Sequence, residues 1–141
     1  MAWRGGALVA STAVVEGDVT LGDRVSVWWN SVLRGDDAPI VVGEGTNVQD
    51  LCMLHPDPGV PLVIGREVTI GHHAVVHAAS VGDRALIGIG AIVLGGATVG
   101  AESLVAAGAV VQEGMDVPPG VLVAGVPARV RRPLRPEERA E

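Results

Sequence analysis

The chain contains no phenylalanine and no tyrosine, and only three of its 141 residues are tryptophan. Ordinary globular cores lean on large aromatic side chains, so this core must be filled by aliphatics. The single cysteine, Cys52, excludes an intrachain disulfide and reads as a buried structural thiol. Basic residues are scarce: ten Lys and Arg stand against sixteen Asp and Glu, a net charge of −6. Phosphate neutralisation needs a basic face, so a nucleic-acid partner is not expected. The one basic run, Arg129, Arg131, Arg132 and Arg135, reads as a solvated tail. No apolar run reaches membrane-spanning length. The stretch 7–15 imitates a signal peptide faintly, but it falls in the repeat described next, so no targeting segment is expected and the cytoplasm is the expected compartment.

What the chain has in place of aromatics is a period of six. Val81, Ile87, Val93, Val99, Val105, Val111, Val117 and Val123 follow one another at that interval. Backwards the series runs through Val76, Ile70 and Ile64, then Leu54, Val48 and Val42, then Leu33, Val27, Leu21, Val15 and Val9. It takes small insertions after Leu33 and after Leu54. Such a period marks a parallel β-helix whose coils each comprise three hexads. Leu21, Val42, Ile64, Val81 and Val99, every third member, are each followed by glycine. Glycine tolerates the backbone angles of a tight corner, so these pairs are expected to mark one edge of the prism. Small residues four after each aliphatic (Ala85, Ala91, Ala97, Ser103, Ala109) suit a narrow interior. The expected fold is an all-β, single-domain parallel β-helix of about six triangular coils over 1–128. Residues 129–141 form a tail, either a short capping helix or a frayed end.

Two histidines share one phase of this repeat. His55 follows Leu54 and His77 follows Val76, so both point outward from one face on successive coils, and Arg34 after Leu33 holds the same position one coil earlier. Neighbouring strands lie roughly 4.8 Å apart, and two imidazole nitrogens on one tetrahedral zinc lie roughly 3.3 Å apart. Converging rings can close that difference. A second column, Trp29, Asp50 and His72, lies on the preceding face. Across a prism corner His72 does not easily reach an ion held by His55 and His77, but a neighbouring chain could bring it there, and threefold packing would make three such sites. His73 fits no ligand column and reads as surface. Trp28 and Trp29 are expected to pack against a partner chain.

The runs Arg34-Gly35-Asp36-Asp37 and Asn47-Val48-Gln49-Asp50, then His55, then Gly71-His72-x4-His77, resemble the gamma-class carbonic anhydrases, best their short bacterial branch. The resemblance covers nearly the whole chain. It implies a left-handed helix and a homotrimer with its metal sites at subunit interfaces. Zinc, or Fe2+ or Co2+, would be held by His55 and His77 of one chain and His72 of the next. It further implies that Arg34 pairs with Asp36 and, across the interface, with Asp50, and that Gln49 and Asn47 lie in the site. The implied activity is that of a lyase: the ion lowers the pKa of a bound water to about 7, and the resulting hydroxide hydrates carbon dioxide reversibly to bicarbonate. Gln49 would orient the attacking oxygen and Asp37 would handle the proton. The chain departs from the family's best-known members where His55 is followed by Pro56-Asp57-Pro58-Gly59-Val60-Pro61, where Asp37 replaces a glutamate, and in having no tyrosine. Two alternatives remain: a hexapeptide acyltransferase using acetyl-CoA, and a catalytically weak metal-bearing trimer with an accessory role.

Overall fold

The period of six becomes a stack of short strands. The computed structural model describes residues 1–78 and 80–139, and in it the chain winds into a parallel β-solenoid of about six turns. Most strands are only two residues long, because each hexad spends its other residues on a corner. Inward-pointing aliphatics align in three ladders: Leu33, Leu54, Val76, Val93 and Val111; Val27, Val48, Ile70, Ile87, Val105 and Val123; Val42, Ile64, Val81, Val99 and Val117. None of them is more than 2% exposed. Burial of each such side chain stabilises the fold by about 1.5–3 kcal/mol. The register read from the sequence is therefore the register of the solenoid.

The corner glycines serve a different purpose from the one expected. Gly22, Gly43, Gly65, Gly82 and Gly100 do lie on a single edge, but none has positive φ. A Cβ on Gly43 would run into the backbone of Gly65 in the next coil, and one on Gly22 would come within 2.9 Å of the Glu44 nitrogen. These glycines allow coils to approach one another. The left-handed angles fall two residues later, on Arg24, Gly45, Glu67, Arg84 and Glu102.

Both ends of the stack are closed by antiparallel strands. Ala2–Arg4 pairs with Ala7–Val9 at one end, and Arg129–Pro133 with Val121–Ala124 at the other. Such additions cover strand edges that would otherwise recruit another chain. A helical turn, Pro136–Arg139, follows. Glu138 secures it: its carboxylate accepts from Arg132 at 2.7 and 3.0 Å and from the Arg135 N–H at 2.9 Å. The Arg132 guanidinium, with the Arg135 amide, holds the Glu138 carboxyl down to about 2, against an ordinary value of 4.5. A depressed folded-state pKa gives stability that is complete above the unfolded value and lost as pH falls through the folded one. Hydrogen exchange should show the 135–139 turn protected at pH 5 and less protected as pH approaches 2, while 129–133 stays paired to Val121–Ala124. Glu138→Gln should lack that transition, and an unchanged profile in this variant would count against the anchor.

Candidate metal centre

Both insertions in the repeat leave the solenoid at the same edge, on adjacent coils. The first lies within the strand Val32–Val42, which turns the corner while pairing with Val14–Leu21. Gly17 and Gly35 meet there, and a Cβ on either would strike the other strand's backbone. This close corner turns Asp36 and Asp37 outward into solvent. The second insertion follows Met53–Leu54 and carries Asp57. The two are tied together where the Gly59 N–H donates to the Asp37 carbonyl at 3.3 Å.

His55 and His77 project between these loops. Leu54 and Val76 are direct partners in adjacent parallel strands, which stacks the following imidazoles with centroids 5.4 Å apart and planes 23° from parallel. Nε2 of His55 is buried and makes no hydrogen bond. Asp37 Oδ2 is 2.9 Å away and Asp36 Oδ1 3.6 Å away, but neither lies in line to bond it. Asp36, Asp37 and His55 thus gather three donors close enough to share one cation. Nε2 of His77 meets Asp57 Oδ1 at 2.5 Å. Arg34 donates to Asp36 at 2.9 Å, and this bond holds the Asp36 carboxyl below its ordinary range.

His72 is elsewhere. It follows Thr69–Ile70 on the neighbouring face, where Val48 pairs with Ile70, and its Nδ1 lies 3.3 Å from Asp50 Oδ1. Gln49 belongs to this second group. Its Oε1 accepts the His72 backbone N–H at 3.1 Å, and its Nε2 donates to Asn47 Oδ1 at 3.2 Å. Asn47 donates in turn to Thr69 Oγ1 at 3.2 Å. A shallow depression runs over Ser26, Trp28, Asn47, Gln49, Asp50 and His72. The residues named from the sequence therefore form two blocks on two faces. Arg34, Asp36, Asp37, His55 and His77 make one; Asn47, Gln49, Asp50 and His72 make the other.

Outward side chains distinguish these faces from the third. Beside the His55–His77 column runs a half-buried apolar ladder of Val32, Met53, Val75, Ile92 and Val110. The His72 face continues upward as Leu86, Leu104 and Leu122. The third face offers mainly Thr20, Ser80, Thr98 and Asp116, interrupted by Val41 and Val63. At the corner next to His72, Trp29, Leu51 and Ile89 are 39%, 53% and 58% exposed. Cys52 is buried, its thiol pushed up to about 11 by burial, and it donates to the Gly71 carbonyl at 3.0 Å. His73 is exposed, with a left-handed φ of 63°.

Asp57 is the residue that the sequence did not single out. It is the first carboxylate after His55, set between two prolines inside an insertion, and that position was its only signal.

No family model matches the chain. A Methanocaldococcus jannaschii protein named "Probable carbonic anhydrase" is 54% identical over 92% of this chain and 82% of its own length. The mitochondrial gamma carbonic anhydrase 1 of Arabidopsis thaliana is 44% identical over 94% of this chain and 50% of its own length. A solved hexapeptide transferase family protein from Anaplasma phagocytophilum superposes with a TM-score of 0.84 at 40% identity, over 95% of this chain and 82% of that one. With such relatives and the two histidine blocks in place, the chain belongs to the gamma-class carbonic anhydrase family.

Proposed function

We propose that the protein is a metal-dependent carbonic anhydrase that hydrates carbon dioxide reversibly to bicarbonate and works as a homotrimer. His55 and His77 of one subunit and His72 of its neighbour hold the ion, which is zinc or another divalent metal such as Fe2+ or Co2+. The observation that carries this reading is the orphaned Nε2 of His55. A buried polar atom without a partner costs about 1–3 kcal/mol, and here it is stacked beside a second imidazole and ringed by carboxylates. That donor set suits a divalent cation of borderline softness. An ion at this place supplies acidified water at neutral pH.

The chain's own residues do the rest. Asp37, half exposed and 2.9 Å from His55 Nε2, is the carboxylate through which a proton leaves towards solvent. Gln49 orients the attacking oxygen, and because it holds the His72 backbone it enters the site together with that ligand from the neighbour. Arg34 fixes Asp36, and Asp50 beside His72 meets Arg34 across the boundary. Trimerisation is supported by the apolar ladders on the two histidine-bearing faces and by the exposed corner of Trp29, Leu51 and Ile89. Among the described residues no helix is long and apolar enough to cross a membrane; we place the protein in the cytoplasm.

The acyltransferase reading draws support from the hexapeptide transferase neighbour. A groove of about 410 Å³ between Leu86, Leu104 and Leu134 has no histidine among its lining residues to act as base. Metal analysis and stopped-flow hydration of carbon dioxide on anaerobically purified protein test the main reading. It predicts about one ion per chain and measurable hydration. An intact trimer that binds acetyl-CoA and holds no metal would contradict it, and a metal-loaded trimer without hydration would mark the accessory role.

A further inference from the structure

The carboxylate of Asp57 sits directly on Nε2 of His77, and its surroundings are shaped to keep it there. Oδ1 lies 2.5 Å from His77 Nε2. Oδ2 rests over Gly95 in the next coil up, where any Cβ would overlap it. Gly95 has no positive φ, so its lack of a side chain serves space and not backbone conformation. Pro56 and Pro58 fix φ on either side of Asp57. The Asp57 carbonyl accepts the Val60 N–H at 3.0 Å, and Gly59 ties the loop to Asp37. Of the two carboxylates near His55, Asp36 is already engaged by Arg34, and Asp37 faces His55 Nε2 at 2.9 Å.

A nitrogen and an oxygen 2.5 Å apart leave no room for an ion between them. Metal bonds of about 2.0–2.2 Å to each would separate the two atoms by roughly 3.3 Å in a tetrahedral site. A shift of the carboxylate by less than an ångström would therefore turn the contact into a bridge through the ion. We propose that Asp57 is a same-chain carboxylate ligand that takes the position left open by the three histidines. The resting site is then closed, as four-ligand zinc sites are, and it opens when the 56–61 loop lifts. This inference rests on the metal reading above and adds to it a residue that controls access of water and anions.

The test uses the full chain loaded with cobalt(II), whose visible absorption reports its ligands, titrated with azide. Wild type should resist azide. Asp57→Ala should bind it at least about 10-fold more tightly, with a spectral change. Gly95→Ala, which keeps the carboxylate but fills its seat, should behave like Asp57→Ala. Equal azide affinity in fully loaded wild type and Asp57→Ala would overturn this inference while leaving the metal reading intact. Failure of wild type to take up cobalt would remove both, whereas loss of cobalt from Asp57→Ala and Gly95→Ala alone would support Asp57 as a ligand.

Discussion

His77→Ala protein should lose metal affinity by about 100-fold or more and emerge from purification almost free of it, while folding as the wild type does. Removing even an outer partner of a metal ligand commonly costs 10–100-fold, and His77 is proposed as a direct ligand. The fold should tolerate the change because the ring points outward from Val75–Val76 and is part-exposed, with no core contact to lose. Metal content by elemental analysis and the circular dichroism melt read the two halves of this expectation separately. Retention of metal at wild-type stoichiometry would exclude His77 as a ligand.

The second large effect is on stability. Leu54 is fully buried, sits between Leu33 and Val76 in its ladder, and immediately precedes His55. Leu54→Ala should destabilise the chain by about 2–5 kcal/mol through lost transfer energy and a residual cavity. In a chain of this size that corresponds to a Tm lower by roughly 10 °C. Val41→Ala, at a position 40% exposed on the third face, should stay within about 0.5 kcal/mol of wild type. Similar melting of the two variants would mean that the inward ladder is not what holds the coils.

The difference between these sites explains what could be read from the sequence. Inward positions repeat because every coil must bury the same three ladders, so Leu33, Leu54 and Val76 declared their register, and with it the stacking of His55 on His77. The edge glycines declared their place but not their reason. A steric approach between Gly43 and Gly65 leaves the same trace in a sequence as a left-handed angle. The insertions after Leu33 and Leu54 were visible as breaks in the period, yet nothing periodic governs what they contact. Gly59 on Asp37, Asp57 on His77 and the seat at Gly95 are through-space pairings between irregular segments. Gln49 illustrates a further limit: the family resemblance assigned it to the attacking oxygen, but within one chain it serves His72 on a different face. It can join His55 and His77 only if a second subunit completes the site.

That completion is the central claim, and subunit mixing tests it most directly. Chains carrying His55→Ala have a broken column and an intact His72; chains carrying His72→Ala have the reverse. After denaturation and joint refolding, each mixed trimer should contain a single boundary that pairs an intact column with an intact His72, and so hold about one metal ion. Mixing His55→Ala with His77→Ala should restore none, since every column is then broken. Metal content of the isolated mixed trimers decides the matter. Recovery in the first mixture alone is the predicted result; equal recovery in both, or none in the first despite demonstrated subunit exchange, would contradict a site shared between chains.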